Sequence, residues 1–239
     1  MLSLSTSDSG RAISFKPDDG STFLVGTDEG MVYLCTTQYS SRYLNTYPAH
    51  NTPVYNIQWN TFIPNIFITC ASEWIVKIWD RDSTKPLFMF DLNSQVGDVA
   101  WAPYSSTVFA AVTIDGKVHI YDLYINKYSP VCVQAVVPKK KARLNHISFN
   151  QTHPIIIVGD SRGYIQCLKL SPNLRRQSKE VKTALVNKDL KKAGEMEIKK
   201  LDQLLSQVMV GRVMSGSMCR CGSPITIATW RWRTMSRNR

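Results

Sequence analysis

Four copies of one unit run through the first two-thirds of this 239-residue chain. An aromatic residue recurs at Phe15, Trp59, Trp101 and Phe149, at intervals of 44, 42 and 48 residues. Gly30, Trp74 and Gly116 each follow their aromatic by 15 residues, and Gly163 follows by 14. A shared period with a shared internal offset marks a repeated supersecondary element, and a unit of that size cannot bury its apolar face alone. Neighbouring copies have to cover one another, so the repeats are expected to pack in series.

Within each copy the anchoring aromatic closes a short strand. A turn and an apolar strand follow, over residues 22–26, 66–71, 107–113 and 154–159. A polar turn comes next: Asp28-Glu29-Gly30, Ser72-Glu73-Trp74, Asp115-Gly116 or Asp160-Ser161-Arg162-Gly163. The strand after it alternates, as in Val76-Lys77-Ile78-Trp79, Val118-His119-Ile120-Tyr121 and Ile165-Gln166-Cys167-Leu168. Period-two alternation bounded by Gly and Asp turns is the chemistry of antiparallel strands and hairpins. A period in the low forties, with Trp79-Asp80 closing the second copy, resembles a WD40 β-propeller blade. The expected fold is all-β, with about four propeller blades in an incomplete ring, then a C-terminal helix and a disordered basic tail. His50, Glu73 and Trp79 fall where such blades place a His, an Asp and a Trp that hydrogen-bond across the sheet. Of the two roles open to His50, general base or structural tie, the spacing favours the tie. Asp80 belongs to the same closing motif, and the third copy keeps Asp115 and Tyr121. The first and fourth copies end in Cys35-Thr36 and Leu168-Lys169 and rely on apolar packing.

Charge divides along the chain. The net charge of +11 splits into 14 basic against 13 acidic residues over 1–170 and 15 against 5 over 171–239. The repeats are therefore nearly neutral, which argues against a nucleic-acid-binding face. The resulting organisation is a repeat region over 1–172, a basic linker over 173–194, an amphipathic helix over 195–209 and an atypical Arg/Trp-rich tail over 210–239. In the helix, Ile198, Leu201, Leu205 and Val208 share one face, and acidic residues lead it as the helix dipole favours. A helix this short needs a partner, either the repeats or another subunit. A longer connection carries Lys139, Lys140, Lys141 and Arg143, to be read as a solvated loop or a basic docking loop.

Catalytic motifs are missing from the sequence: no phosphate loop, no nucleophile elbow, no His-Glu-x-x-His, and four scattered histidines. No catalytic, cofactor-binding or metal-binding residue is assigned, and no cofactor is expected. Four cysteines, Cys35, Cys70, Cys132 and Cys167, lie in strand-like runs and suit a reducing compartment. No apolar run approaches the roughly 18–20 residues that span a bilayer, so neither membrane nor nucleic acid is expected as a partner.

One stretch is more specific. In Ser72-Glu73-Trp74-Ile75-Val76-Lys77-Ile78-Trp79-Asp80 a Trp stands where blades usually carry a turn Gly. Together with 96–113, 153–160, 168–175 and 197–205, this resembles axonemal dynein intermediate chains of the outer-arm type. The resemblance, over about residues 11–208, implies a non-catalytic subunit of the outer-arm motor, acting in microtubule-based movement of cilia and flagella. It implies as partners the dynein heavy chain, a second intermediate chain and light chains, and association with the axoneme in the cytoplasmic cytoskeleton. It also implies a ring of about seven blades, so the four here are expected to be part of one. Trp74, Tyr55, Lys139, Lys140, Lys141 and Arg143 are the expected partner-binding positions. The alternative is a WD40 adaptor outside dynein, in a ubiquitin ligase or an RNA-processing complex.

Overall fold

A computed structural model describes residues 9–39, 42–137, 142–175, 190–211 and 229–230. The strands are β1 (Gly10–Phe15), β2 (Thr22–Thr27), β3 (Met31–Thr36), β4 (Asn45–Pro48), β5 (Val54–Trp59), β6 (Ile66–Ala71), β7 (Ile75–Asp80) and β8 (Phe88–Asp91). They continue as β9 (Val96–Trp101), β10 (Val108–Thr113), β11 (Lys117–Asp122), β12 (Cys132–Ala135), β13 (Leu144–Phe149), β14 (Ile155–Asp160), β15 (Ile165–Lys169) and β16 (Thr229–Trp230). A 3-10 turn covers Pro172–Arg175, and one α-helix, α1, covers Leu190–Gly211. The expected Lys139, Lys140 and Lys141 lie outside the described residues, as do most of the linker and tail.

The strands form four antiparallel four-stranded sheets, blades A to D, each a simple meander from an inner to an outer strand. In blades A to C the outer strand follows directly in sequence, whereas in blade D the outer position is taken by β16. The inner strands stand side by side in chain order, β1 beside β5, β5 beside β9 and β9 beside β13. Each repeated aromatic ends an inner strand, and the period in sequence is thus the step from blade to blade.

Apolar side chains fill the spaces between blades. Leu24, Leu34 and Tyr47 of blade A meet Trp59, Phe67 and Trp79 of blade B. Phe90 lies between blades B and C and packs against Phe109 and Tyr121, whose rings stack at 4.8 Å. Hydrogen bonds stitch the same boundaries. The Trp59 Nε1–H donates to the Ser14 carbonyl at 3.1 Å, and the Trp101 Nε1–H to the Gln58 carbonyl at 3.3 Å. Phe149 has no donor, and the boundary between blades C and D uses Asp98 instead. This buried carboxylate accepts from Asn56 Nδ2 at 2.6 Å and from the Ile147 amide at 3.0 Å, and contacts His146 Nδ1 at 2.6 Å. Three blades meet at one side chain. Blade C also comes close to blade D at Gly97, where a Cβ would lie 2.1 Å from the Leu144 carbonyl oxygen.

Helix α1 spans blades B and C at the end formed by the β5–β6, β9–β10 and β11–β12 connections. Leu201 and Leu204 join the core between those blades, with Leu205 packed against it. The buried stripe differs from the apolar one expected from sequence: it runs Ala193, Glu197, Leu201, Leu204, and Ile198 is left 36% exposed. Glu197 is buried because its carboxylate accepts from the Ser106 amide at 3.0 Å and from Ser105 Oγ at 3.1 Å, while Ser106 Oγ donates to the Glu197 carbonyl at 2.9 Å. Lys200 lies 3.7 Å away. A charge so satisfied outweighs the burial of one more isoleucine. The helix begins at Leu190, so Glu195 and Glu197 lie beyond its first turn, which holds no acidic residue, and the dipole argument for its start does not apply.

The Glu197→Ala variant removes the acceptor and leaves Ser105 and Ser106 donors buried. It is expected to lose about 2–3 kcal/mol in urea unfolding and to expose α1 to protease at native pH. A loss below about 0.5 kcal/mol would show that apolar contact alone holds the helix.

Candidate functional site

Blade B carries a complete polar relay. Its apolar central strand β6 contains one polar residue, Thr69, fully buried. The Trp79 Nε1–H donates to Thr69 Oγ1 at 3.0 Å, and His50 Nε2 lies 2.9 Å from the same hydroxyl. The Glu73 carboxylate on the far side of the ring can only accept, which leaves Nε2 as the ring's acceptor, so the Thr69 hydroxyl donates to it while the Thr69 oxygen accepts from Trp79. The imidazole proton then sits on Nδ1, 3.5 Å from Glu73 Oε2. Glu73 Oε1 accepts from the Asn51 amide at 2.6 Å. The chain Trp79–Thr69–His50–Glu73 ties β7, β6, the β4–β5 connection and the β6–β7 turn together. Burial, then Lys77, push the His50 pKa down to about 4 against the pull of Glu73, so the ring is neutral near pH 7.

The other expected blade residues occupy separate places. Asp80 ends β7 and receives the Asp82 amide at 3.3 Å. Asp115 sits in the β10–β11 turn, bonded by Thr113 Oγ1 at 2.5 Å and Lys117 Nζ at 2.7 Å. Partial burial would raise its pKa, but hydrogen bonds from Lys117, Thr113 and Ser94 hold it down to about 2. Tyr121 stacks in the core, and Ala111 pairs opposite His119 where blade B pairs Thr69 with Lys77, so blade C has no hydroxyl to relay through. Both ring nitrogens of the buried His119 lack a hydrogen-bond partner.

Of the expected contact positions, Trp74 and Tyr55 lie on one rim. Trp74 is 59% exposed, and the backbone around it is pinned: the Leu92 amide donates to the Trp74 carbonyl at 2.9 Å and the Val96 amide to that of Glu73 at 3.0 Å. Tyr55 OH donates to Ser72 Oγ at 3.1 Å, two residues away. Gly30, Gly116 and Gly163 take positive φ in the equivalent turns, but among the described residues Asn93 is the one non-glycine that does. The blade B turn thus follows a path a bulky side chain tolerates. Arg143 is exposed at the start of blade D, bonded through its backbone to Ser161 as Pro53 is to Ser72 in blade B, so it lies at the same end of the blades as Trp74 but two blades away. A cavity of about 380 Å3 lined by Tyr104, His153 and Arg175 opens between blades C and D. Among the described residues no cluster of His, Cys, Asp and Glu could hold a metal ion, and no helix is long and apolar enough to cross a membrane.

Sequence reasoning missed Thr69, Asp98 and an exposed loop at Tyr124, Ile125 and Tyr128. Thr69 had a signal, a lone hydroxyl in an apolar strand facing a Trp across the sheet.

Blades of this topology with a His–Thr–Trp relay define a WD40-repeat protein. The family model described as WD domain, G-beta repeat matches residues 41–80, the stretch that holds the whole relay. A chain in a crystal structure of the mitotic checkpoint complex shares the fold, with TM-score 0.56 and 17% identity over 64% of this chain and 48% of that one. Closer relatives are dynein subunits. Ciliary dynein intermediate chain 2 of Heliocidaris crassispina is 54% identical over 83% of this chain and 28% of its own length. Axonemal dynein intermediate chain 1 of Bos taurus is 53% identical over 87% and 29%. The 78 kDa intermediate chain of the flagellar outer arm of Chlamydomonas reinhardtii is 44% identical over 78% and 26%. The chain belongs to the axonemal dynein intermediate chain family, and it spans under a third of the length of these curated relatives.

Two outcomes test the relay. Thr69→Val keeps the shape but strands Trp79 Nε1–H, and is expected to cost about 2 kcal/mol or more in urea unfolding, with Thr69→Ser largely restoring it. The pH dependence follows from His50. Unfolded, its imidazole titrates near 6.5; folded, near 4. Between those values the unfolded chain holds a proton that the folded chain refuses, so stability is full above about pH 6.5 and falls as pH drops toward 4, by about 2–3 kcal/mol. Burial shifts His119 in the same direction. Melting curves from pH 7 to 4.5 should show a shallower slope for His50→Gln than for the unmodified chain; identical slopes would remove His50 from the account.

Proposed function

We propose that this chain acts as a non-catalytic scaffold portion of an intermediate-chain subunit of the outer-arm axonemal dynein motor, in cilia or flagella. The observation that carries this reading is its identity of more than half with ciliary and axonemal intermediate chains over most of its length. The architecture suits the role: blades held by interblade aromatics, with a buried relay in blade B, form a rigid body with exposed turns, the usual build of a docking platform. The heavy chain is the proposed principal partner, with a second intermediate chain and light chains in the same complex. The relatives do not favour the adaptor reading outside dynein. ATP hydrolysis belongs to the heavy chain in this scheme.

Trp74, with Tyr55 beside it, is the proposed anchor on one rim, because an exposed indole on a pinned backbone offers contact area at low entropic cost. Arg143 is a separate candidate on blade D. Expressed with a tag in ciliated cells, the chain should stain axonemes and bring down outer-arm heavy chain. Trp74→Ala should reduce that capture by about tenfold without moving the melting temperature. Nuclear or diffuse staining with no heavy chain captured would sink the reading.

A further inference from the structure

The β11–β12 connection, residues 123–131, presents three large apolar or aromatic side chains within five positions. Tyr124, Ile125 and Tyr128 are 61%, 58% and 87% exposed. Nothing in the blade requires this, since Leu123, immediately before them, is fully buried and supplies the local core contact.

The connection is also ordered by its own polar groups. The Ile125 and Asn126 amides donate to the Asp122 carbonyl at 3.1 and 2.9 Å. Asn126 Oδ1 accepts from the Tyr128 and Ser129 amides at 3.0 and 3.3 Å, and Asn126 Nδ2 donates to Ser129 Oγ at 2.6 Å. Helix α1 braces it from the side. Lys200 Nζ stands 5.2 Å from the centre of the Tyr124 ring, and Lys127 Nζ donates to Gln207 Oε1 at 2.9 Å. Exposed aromatics on an ordered loop are the composition and the state from which binding hot spots are built, because little side-chain or backbone freedom is left to lose.

The exposed charge beside them is basic, because the two nearby carboxylates, Asp122 and Glu197, are buried and accept hydrogen bonds from Tyr124 and Thr107 and from Ser105 and Ser106. Lys200 and Gln207 turn toward the loop, and Gln203 falls between them on the same helical face. Lys127 projects from the loop itself. The Glu197 carboxylate answers Lys200 from beneath, whereas Lys127 meets a neutral amide. A surface of two tyrosines and an isoleucine edged by ammonium groups complements apolar residues edged by carboxylates.

We propose that Tyr124, Ile125 and Tyr128, bordered by Lys127 and Lys200, form a docking surface for an amphipathic segment of another dynein subunit, one whose apolar residues are flanked by Asp or Glu. The surface lies at the α1 end of the blades, opposite the rim of Trp74. Helix α1 has a second role in this arrangement: it holds the loop in its binding shape, so the helix and the partner site are coupled.

The proposal rests on the dynein-subunit reading, and the test separates the two. The full chain carrying the photo-crosslinker p-benzoylphenylalanine in place of Tyr128 is incorporated into purified outer-arm dynein, irradiated, and the crosslinked peptide is sequenced. The expected crosslink falls within a dynein-subunit stretch in which acidic residues alternate with large apolar ones. Affinity for the purified complex should fall about tenfold or more for Ile125→Ala/Tyr128→Ala, and by a similar factor for Lys127→Glu at low salt, with the Lys127→Glu loss shrinking as salt rises. Ile125 and Tyr128 are exposed, and half-buried Lys127 gives up one surface hydrogen bond to Gln207, so melting temperatures should hold. If the chain joins the complex through Trp74 while position 128 yields no crosslink and the variants bind normally, the surface assignment is overturned and the subunit reading stands. A crosslink only to tubulin, or binding of the chain to phosphatidylserine vesicles that the same variants abolish, overturns it as well. Failure of the chain to join the complex at all overturns both.

Discussion

Each blade depends on the next for its core. A single meander of these strands has two apolar faces and no means of covering either, so the energy of folding lies mostly between blades. The recurring inner-strand aromatic shows how that dependence is enforced. Trp59 and Trp101 fill the interblade space, which stabilises by about 2–3 kcal/mol each, and their indole N–H groups reach the carbonyl just before the preceding blade's own aromatic. Packing supplies the larger share and the hydrogen bond supplies register. Where the aromatic is Phe149, register comes from Asp98, which accepts the Ile147 amide directly. The two devices are exchangeable because each fixes one inner strand against its neighbour. At the ends of the series Ile13 and Phe15 of blade A and Ile165 of blade D remain more than half exposed, as stacking predicts for faces with no neighbour here.

Helix α1 illustrates how a buried charge overrides an apolar pattern. Ranked by hydrophobicity alone, Ile198 belongs inside and Glu197 outside. The β9–β10 turn reverses that order by offering an amide and two hydroxyls at one point, so that burying the carboxylate replaces its water ligands one for one. Rotating the helix to bury Ile198 would forfeit those bonds and leave the Ser106 amide without its acceptor. The outcome is a helix fixed in rotation as well as in position, which a purely apolar stripe would specify less tightly.

Much of this was legible in the sequence for a physical reason: the repeat imposes the same local chemistry at the same spacing. The inner and central strands, the glycine turns and the grouping of His50, Glu73 and Trp79 all follow from residues whose neighbours in space are set by the period. Outer strands β4, β8 and β12 are four residues long, too short for alternation to register. Thr69 was visible only as an exception within an apolar run. Asp98 was not legible, since its partners, Asn56 and Ile147, stand 42 and 49 residues away. The orientation of α1 was hidden for the same reason, because Ser105 and Ser106 decide it from about 90 residues away. The exposed Tyr124–Tyr128 cluster carries no periodic signal, and only the burial of Leu123 beside it marks those side chains as surplus to the core.

The full relay occurs in blade B and not in blade C, and this bears on where rigidity is needed. Blade C lacks the relay but keeps an aromatic stack that blade B also has, with Phe90, Phe109 and Tyr121 in the places of Tyr47, Phe67 and Trp79, and its β10–β11 turn is held by bonds to Asp115 from Thr113, Lys117 and Ser94. In blade B the relay ends at Glu73, one residue before Trp74, and clamps the turn to the β4–β5 connection through Asn51. Packing alone would hold the sheet; the additional bonds act on the turn. A buried threonine, a neutral histidine and a carboxylate are costly to assemble unless every partner is met, and their effect is to fix the backbone beneath an exposed indole. That is the arrangement expected where a surface residue, rather than the core, is what the blade has to present.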